Sequence, residues 1–107
     1  MMTESEFNFV VDDALLAIED ALDEAESDLD SENSGGVLTL TCESGSKLIF
    51  TRQTPVRQLW IATPAGGFHF DYVEKKWLRD SDQLGLAQFL GNALSELTDE
   101  KLCFNRL

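Results

Sequence analysis

The apolar residues of this chain change their spacing at Gly35-Gly36, and that change dictates what it can fold into. Over residues 7–26, Phe7, Val11, Ala14, Leu15, Ile18, Leu22 and Ala25 recur at intervals suited to a helix. At 3.6 residues per turn they occupy one sector about 100° wide, the stripe of a helix laid on a core. Thr3, followed three places later by Glu6, has the form of a capping box. Residues 28–36 (DLDSENSGG) read as a polar loop. Beyond the glycines the period is two: over 37–42, Leu38, Leu40 and Cys42 share one face and Val37, Thr39 and Thr41 the other.

Short strands and tight turns then follow one another. Glu43-Ser44-Gly45-Ser46 turns the chain into Lys47–Gln53, which Thr54-Pro55 breaks. Gln58–Thr63, residues 68–73 and Lys76–Arg79 are further strands, with Pro64-Ala65-Gly66-Gly67 as a turn. A second helix is expected near 84–97, capped by Ser81 or Asp82, with Leu86, Leu90, Leu94 and Leu97 as its apolar ridge. Gly85 and Gly91 within it each cost about 1 kcal/mol relative to Ala, so it depends on packing. The tail 101–107 adds an edge strand or runs as coil along the helices. A helix at each end of an antiparallel meander predicts an α+β fold. The expected architecture is a two-layer α/β sandwich, two terminal helices packed on one face of a five- or six-stranded sheet, as one domain over 1–107.

Charge is distributed very unevenly. The 107 residues carry 20 Asp and Glu against 8 Lys and Arg, a formal charge of −12. Residues 1–46 hold 13 of the acids and no Lys or Arg, whereas residues 47–107 hold 7 acids and all 8 bases. Such a balance argues against binding nucleic acid or an anionic membrane, and no apolar run reaches the roughly 18 residues of a span. The opening MMTESEFNF lacks the basic and apolar stretches of a signal peptide, and two cysteines are too few for a disulfide scaffold. A cytoplasmic protein with reduced thiols is therefore expected.

On the expected first helix, Asp12, Glu19, Asp23 and Glu26 form one ridge beside the core stripe, and Asp13, Asp20 and Glu24 a second. Asp28, Asp30 and Glu32 continue the acids beyond it. The like-charge pairs Glu19/Asp23 and Asp20/Glu24 destabilise the helix by a few tenths of a kcal/mol each, and acids in its last turn oppose the macrodipole. A solvated face needs no such strain. A carboxylate ridge collects hard cations through oxygen ligands, docks on a basic protein surface, or does both. With no CxxC, no HExxH and one distant histidine, His69, tight zinc binding is not expected. Carboxylates on a convex helix suit Fe²⁺, Fe³⁺, Mn²⁺, Co²⁺, Ca²⁺ or lanthanides, held weakly. The run from Asp28 is not an EF-hand, because Asn33 stands where glycine is needed and Thr39 where the bidentate glutamate is needed.

Elsewhere the sequence reads mainly as structure. Trp60 alternates with Leu59 and Ile61, which places it on the open side of the sheet, either as a binding anchor or packed on Phe or Arg neighbours. Trp77 is expected in the core or a hinge, His69 on the face opposite Phe68 and Phe70, and Cys42 and Cys103 as small hydrophobes. No nucleophile elbow, phosphate loop or dinucleotide fingerprint is present.

The acidic first helix, the Gly-Gly entry into VLTLT, the hairpin SGSKLIF, the run TRQTP and the string QLWIATPAGGFHFDY closely resemble the frataxin family, nearest its bacterial CyaY-like branch. The resemblance covers nearly the whole chain and is strongest from Gly35 to Tyr72. It implies an iron-binding adaptor of iron–sulfur cluster assembly, acting with a cysteine desulfurase and a scaffold protein. The family's acidic ridge falls on Glu19, Asp20, Asp23, Glu24, Glu26, Asp28 and Asp30 as iron ligands. Desulfurase docking falls on Asp20, Asp23, Glu24 and Glu26, and scaffold contact on Trp60. Arg52 and Gln53 match a polar strand-end motif, with Gln53 a partner contact, but an asparagine usual there is Thr51 here.

Three functional readings follow. The first is a non-enzymatic adaptor that binds iron weakly and regulates cysteine desulfurase, monomeric or forming iron-driven oligomers. The second is iron oxidation or storage. The third is an acidic interaction domain that imitates nucleic acid in charge.

Overall fold

Thr3 starts the first helix by reciprocal bonding: its hydroxyl accepts from the Glu6 amide and its own amide donates to the Glu6 carboxylate, both at 3.1 Å. The computed structural model describes residues 2–98, 102–104 and 107. Helix α1 spans Glu4–Glu24 and buries Phe7, Val11, Ala14, Leu15, Ala17, Ile18 and Leu22. Ala25, expected in that stripe, is instead the exposed C-cap. The helix stops there because Glu26 adopts φ 50°, and the next amides fold back: Glu26 N–H to Asp23 O at 3.1 Å and Ser27 N–H to Leu22 O at 3.0 Å. This is a Schellman ending with glutamate where glycine is usual.

Residues 30–34 are not loop. Asp30–Ser34 forms strand β1, paired antiparallel with β2 (Val37–Thr41). All five residues of β1 are exposed, so it carries no apolar period to reveal it. Gly35 and Gly36, at φ 60° and 82°, close the two-residue hairpin loop, a turn that demands positive φ at both centres. The meander continues through β3 (Lys47–Gln53), β4 (Gln58–Thr63), β5 (Gly66–Val73) and β6 (Lys76–Arg79), in the order β1-β2-β3-β4-β5-β6. A 3₁₀ turn, Thr54–Val56, joins β3 to β4.

Helix α2 spans Leu86–Leu97, with Gly85 as N-cap and no side-chain capping bond, so neither Ser81 nor Asp82 caps it. Asp82 is engaged elsewhere: its carboxylate accepts from Arg79 Nε and Nη2 at 2.8 and 2.6 Å and from the Leu84 amide at 3.1 Å. The Arg79 guanidinium in turn lies over the Phe68 and Phe89 rings, 5.5 and 5.7 Å from their centroids, pinning α2 to β5.

Two helices thus pack on one face of a six-stranded antiparallel sheet, the α+β sandwich expected. Leu38, Leu40, Leu48, Phe50, Leu59, Ile61 and Phe70 face the helices and are almost wholly buried. Trp77 joins this core, edge-on to Phe7 at 6.3 Å. Of the tail, residues 102–104 are coil; Leu102 and Phe104 are buried in the same core while Cys103 is exposed, unlike buried Cys42. Of the two expectations for 101–107, coil rather than an edge strand is what 102–104 show, and residues 101, 105 and 106 lie outside the described residues.

Candidate functional site

The acidic residues lie where α1, its terminal turn and β1 run into one another. Glu19 and Asp20 are half-buried on the helix, and Asp23, Glu24, Glu26, Asp28 and Asp30 are exposed. No basic residue occupies the last turn of α1 to offset them. After the turn, Ser27 Oγ accepts the Leu29 amide at 3.1 Å and Leu29 drops into the core, so Asp28 and Asp30 flank a buried anchor. The strand is fastened to the helix by Asn33 Nδ2, which donates to Glu19 Oε1 at 3.2 Å.

Pairing register decides which way the strand acids point. Asp30 and Glu32 oppose Thr41 and Thr39, whereas Ser31 and Asn33 oppose buried Leu40 and Leu38. Since paired residues share a face, Asp30 and Glu32 project from the open side of the sheet, away from α1. The seven expected ligands therefore form a rim over a helix and a sheet edge. Among the described residues, no three Asp, Glu, His or Cys side chains converge as a cation cage would require. Such donors suit hard cations held by one or two carboxylates with water completing the shell.

A basic side chain of the sheet reaches into the helix's acidic face. Arg52 extends from β3 to Asp12 Oδ1 (2.7 Å), Asn8 Oδ1 (3.1 Å) and Gly36 O (3.3 Å). It ties α1 to the β1–β2 hairpin rather than neutralising the acids of the C-terminal half.

Trp60 and Gln53 lie further across the open face of the sheet, on β4 and β3, about 14 and 10 Å from β1 at the usual strand spacing. Gln53 pairs with Gln58, and Thr51 pairs with Trp60. Trp60 is half-buried and packed, but on neither of its expected neighbours: its indole stacks on His69, centroids 4.3 Å apart and planes 20° apart. The indole N–H donates to Gln58 Oε1 at 2.9 Å, while Gln58 Nε2 donates to Asp71 at 3.1 Å and Asp80 at 3.4 Å. Asp80 Oδ2 lies 3.6 Å from His69 Nδ1, closing a ring of contacts around Trp60. With its N–H occupied, Trp60 offers a partner an aromatic surface rather than a donor.

Three features were missed in the sequence. Glu32 belongs to a strand, Asn33 is the link to Glu19, and two apolar side chains, Phe9 and Leu16, stand exposed on α1. The last was legible, since both lie well off the core stripe on a helical projection.

A family model described as a frataxin-like domain matches residues 1–100. The chain belongs to the frataxin-like family. Curated relatives named iron–sulfur cluster assembly protein CyaY include one from Pseudomonas putida, 46% identical over 108 residues and covering 99% of this chain and 98% of the relative. Another, from Pseudomonas aeruginosa, is 47% identical over 105 residues, covering 96% and 97%. Among solved structures, a Psychromonas ingrahamii frataxin superposes with TM-score 0.93 at 36% identity, over 96% of this chain and 98% of that one. A trimeric frataxin from Saccharomyces cerevisiae, complexed with ferrous, superposes with TM-score 0.72 at 28% identity over 85% and 87%. Within this frataxin-like domain no helix of the described residues is long and apolar enough to cross a membrane.

Proposed function

We propose that this chain is an iron-binding adaptor of iron–sulfur cluster assembly, working in the cytoplasm and without catalysis of its own. It holds Fe²⁺ or Fe³⁺ weakly and exchangeably on Glu19, Asp20, Asp23, Glu24, Glu26, Asp28 and Asp30, where Co²⁺, Mn²⁺, Ca²⁺ or lanthanides substitute. Asp20, Asp23, Glu24 and Glu26 also dock on cysteine desulfurase, and Trp60 with Gln53 meets the scaffold protein. It is monomeric without iron and self-associates when loaded.

The observation that carries this reading is the crowding of acid at the end of α1: no base within the last turn itself, and a carboxylate at Glu26 where the backbone favours glycine. The names of its bacterial relatives and the ferrous complex of the yeast frataxin supply the pathway and the ion. Iron here is cargo, met by exposed oxygen donors that bind and release readily.

NMR mapping with Fe²⁺ and then with purified cysteine desulfurase tests the reading. The same residues, from Glu19 to Asp30, are expected to respond to both. Reversing charge at Asp20, Asp23, Glu24 and Glu26 together is expected to abolish both responses with the amide spectrum of the sheet preserved. Docking should weaken steeply with ionic strength. Unchanged titrations in the reversed variant would overturn the proposal. Oxygen uptake by Fe²⁺ should be no faster with the protein than without it; acceleration would favour the oxidase reading.

A further inference from the structure

The solvent face of α1 is not uniformly polar. Phe9 is 71% exposed and Leu16 51% exposed, although the helix buries its other large apolar side chains on the opposite side. Seven residues subtend about 700°, so the two side chains stand nearly in line, about 10.5 Å apart along the axis. Asp23 continues the same line one step further. Asp12 and Glu19 border it on one side and Asp13 and Asp20 on the other, each about 30–70° round the helix. Single exposed apolar residues are ordinary. Two in register, framed on both sides by carboxylates, form a patterned surface.

From this we infer that Phe9 and Leu16 are the apolar anchors of the docking face, and that the partner is a protein surface with two apolar hollows about 10 Å apart, bordered by Lys and Arg. The inference rests on the reading above that this helix docks on cysteine desulfurase. The charge frame selects that occupant. Carboxylates on both flanks repel an anionic membrane, and a second copy of a chain of charge −12 is repelled likewise. A cation needs the acids but has no use for a phenyl ring between them. The division of labour is physical: the carboxylates steer and orient the encounter, and the apolar contacts, once desolvated, set how long it lasts.

The test uses the full chain with Phe9→Ala, Leu16→Ala and the double substitution, against purified cysteine desulfurase. Alanine is the better helix former at exposed positions, so the fold should persist; the melting temperature checks this, and Phe9→Gln with Leu16→Gln provides a second pair. The double variant is expected to lose about tenfold in affinity, through faster dissociation with association unchanged. Its dependence of affinity on salt and its Fe²⁺ titration should match the unsubstituted chain. Asp13→Asn with Asp20→Asn should do the reverse, slowing association and flattening the salt dependence. If the unsubstituted chain binds and the alanine and glutamine variants bind as tightly, this inference falls and the adaptor reading stands. If the unsubstituted chain does not bind, desulfurase docking falls, and this inference with it.

Discussion

Arg52 Nη2 on β3 meets Asp12 Oδ1 on α1 at 2.7 Å, bringing a base of the sheet into the acidic face of the helix. The guanidinium is only 19% exposed, also holds Asn8 and the Gly36 carbonyl, and keeps its buried Nε without a partner. Removing it unties three segments at once. Arg52→Ala is expected to lower unfolding free energy by about 1–3 kcal/mol in urea titration. Gly36→Ala should also destabilise, because φ is 82° and a Cβ would lie 3.2 Å from Arg52 Nη2.

Glu26 closes α1 in a left-handed conformation, φ 50°, which any residue with a Cβ resists. Glu26→Gly is expected to stabilise the fold by about 0.5–1 kcal/mol while weakening Fe²⁺ binding. Stability and iron titrations that moved in the same direction would count against a functional carboxylate there.

Neutralising either member of a like-charge pair relieves repulsion without touching the core. Asp23→Asn and Glu24→Gln should each raise the melting temperature slightly, by a few tenths of a kcal/mol in free energy. Calorimetry at low ionic strength gives the largest effect, and added salt should shrink it.

Arg79 grips the Asp82 carboxylate through two hydrogen bonds and, with the Leu84 amide, holds its pKa down from the usual 3.8 to about 2. A carboxyl whose pKa is depressed by folding stabilises above its unfolded value and stops doing so as pH falls through the folded one. The melting temperature of Asp82→Asn should therefore lie below that of the unsubstituted chain by a constant margin above about pH 5. That margin should shrink from about pH 4 and vanish near pH 2.

Gln58 fixes the indole N–H of Trp60 from one side while His69 supports its ring. Gln58→Leu should shift the Trp60 indole resonance and speed its exchange with water, leaving that of buried Trp77 unmoved. It should also weaken scaffold binding if the fixed ring is what the scaffold meets.

Much of this fold was legible because its elements carry strong periods. Phe7, Val11, Ile18 and Leu22 declare α1, and the alternations of 47–53 and 58–63 give β3 and β4 their observed bounds. The elements that escaped have no such pattern. β1 is polar throughout and exists because the Gly35-Gly36 turn lays it beside β2. The start of α2 was misplaced because Asp82, which has the form of a cap, is captured by Arg79 from a neighbouring strand.

The sequence by itself determined the sandwich and the one-sided charge, since apolar spacing and the absence of bases over 1–46 are properties of the chain in any conformation. Only the tertiary structure decided how those charges are presented. Strand pairing turns Asp30 and Glu32 to the open face, Asn33 ties Glu19 to the sheet edge, and Trp60 rests on His69. Each of these depends on residues far apart in the chain meeting at a fixed register, and that register arises only when the core closes.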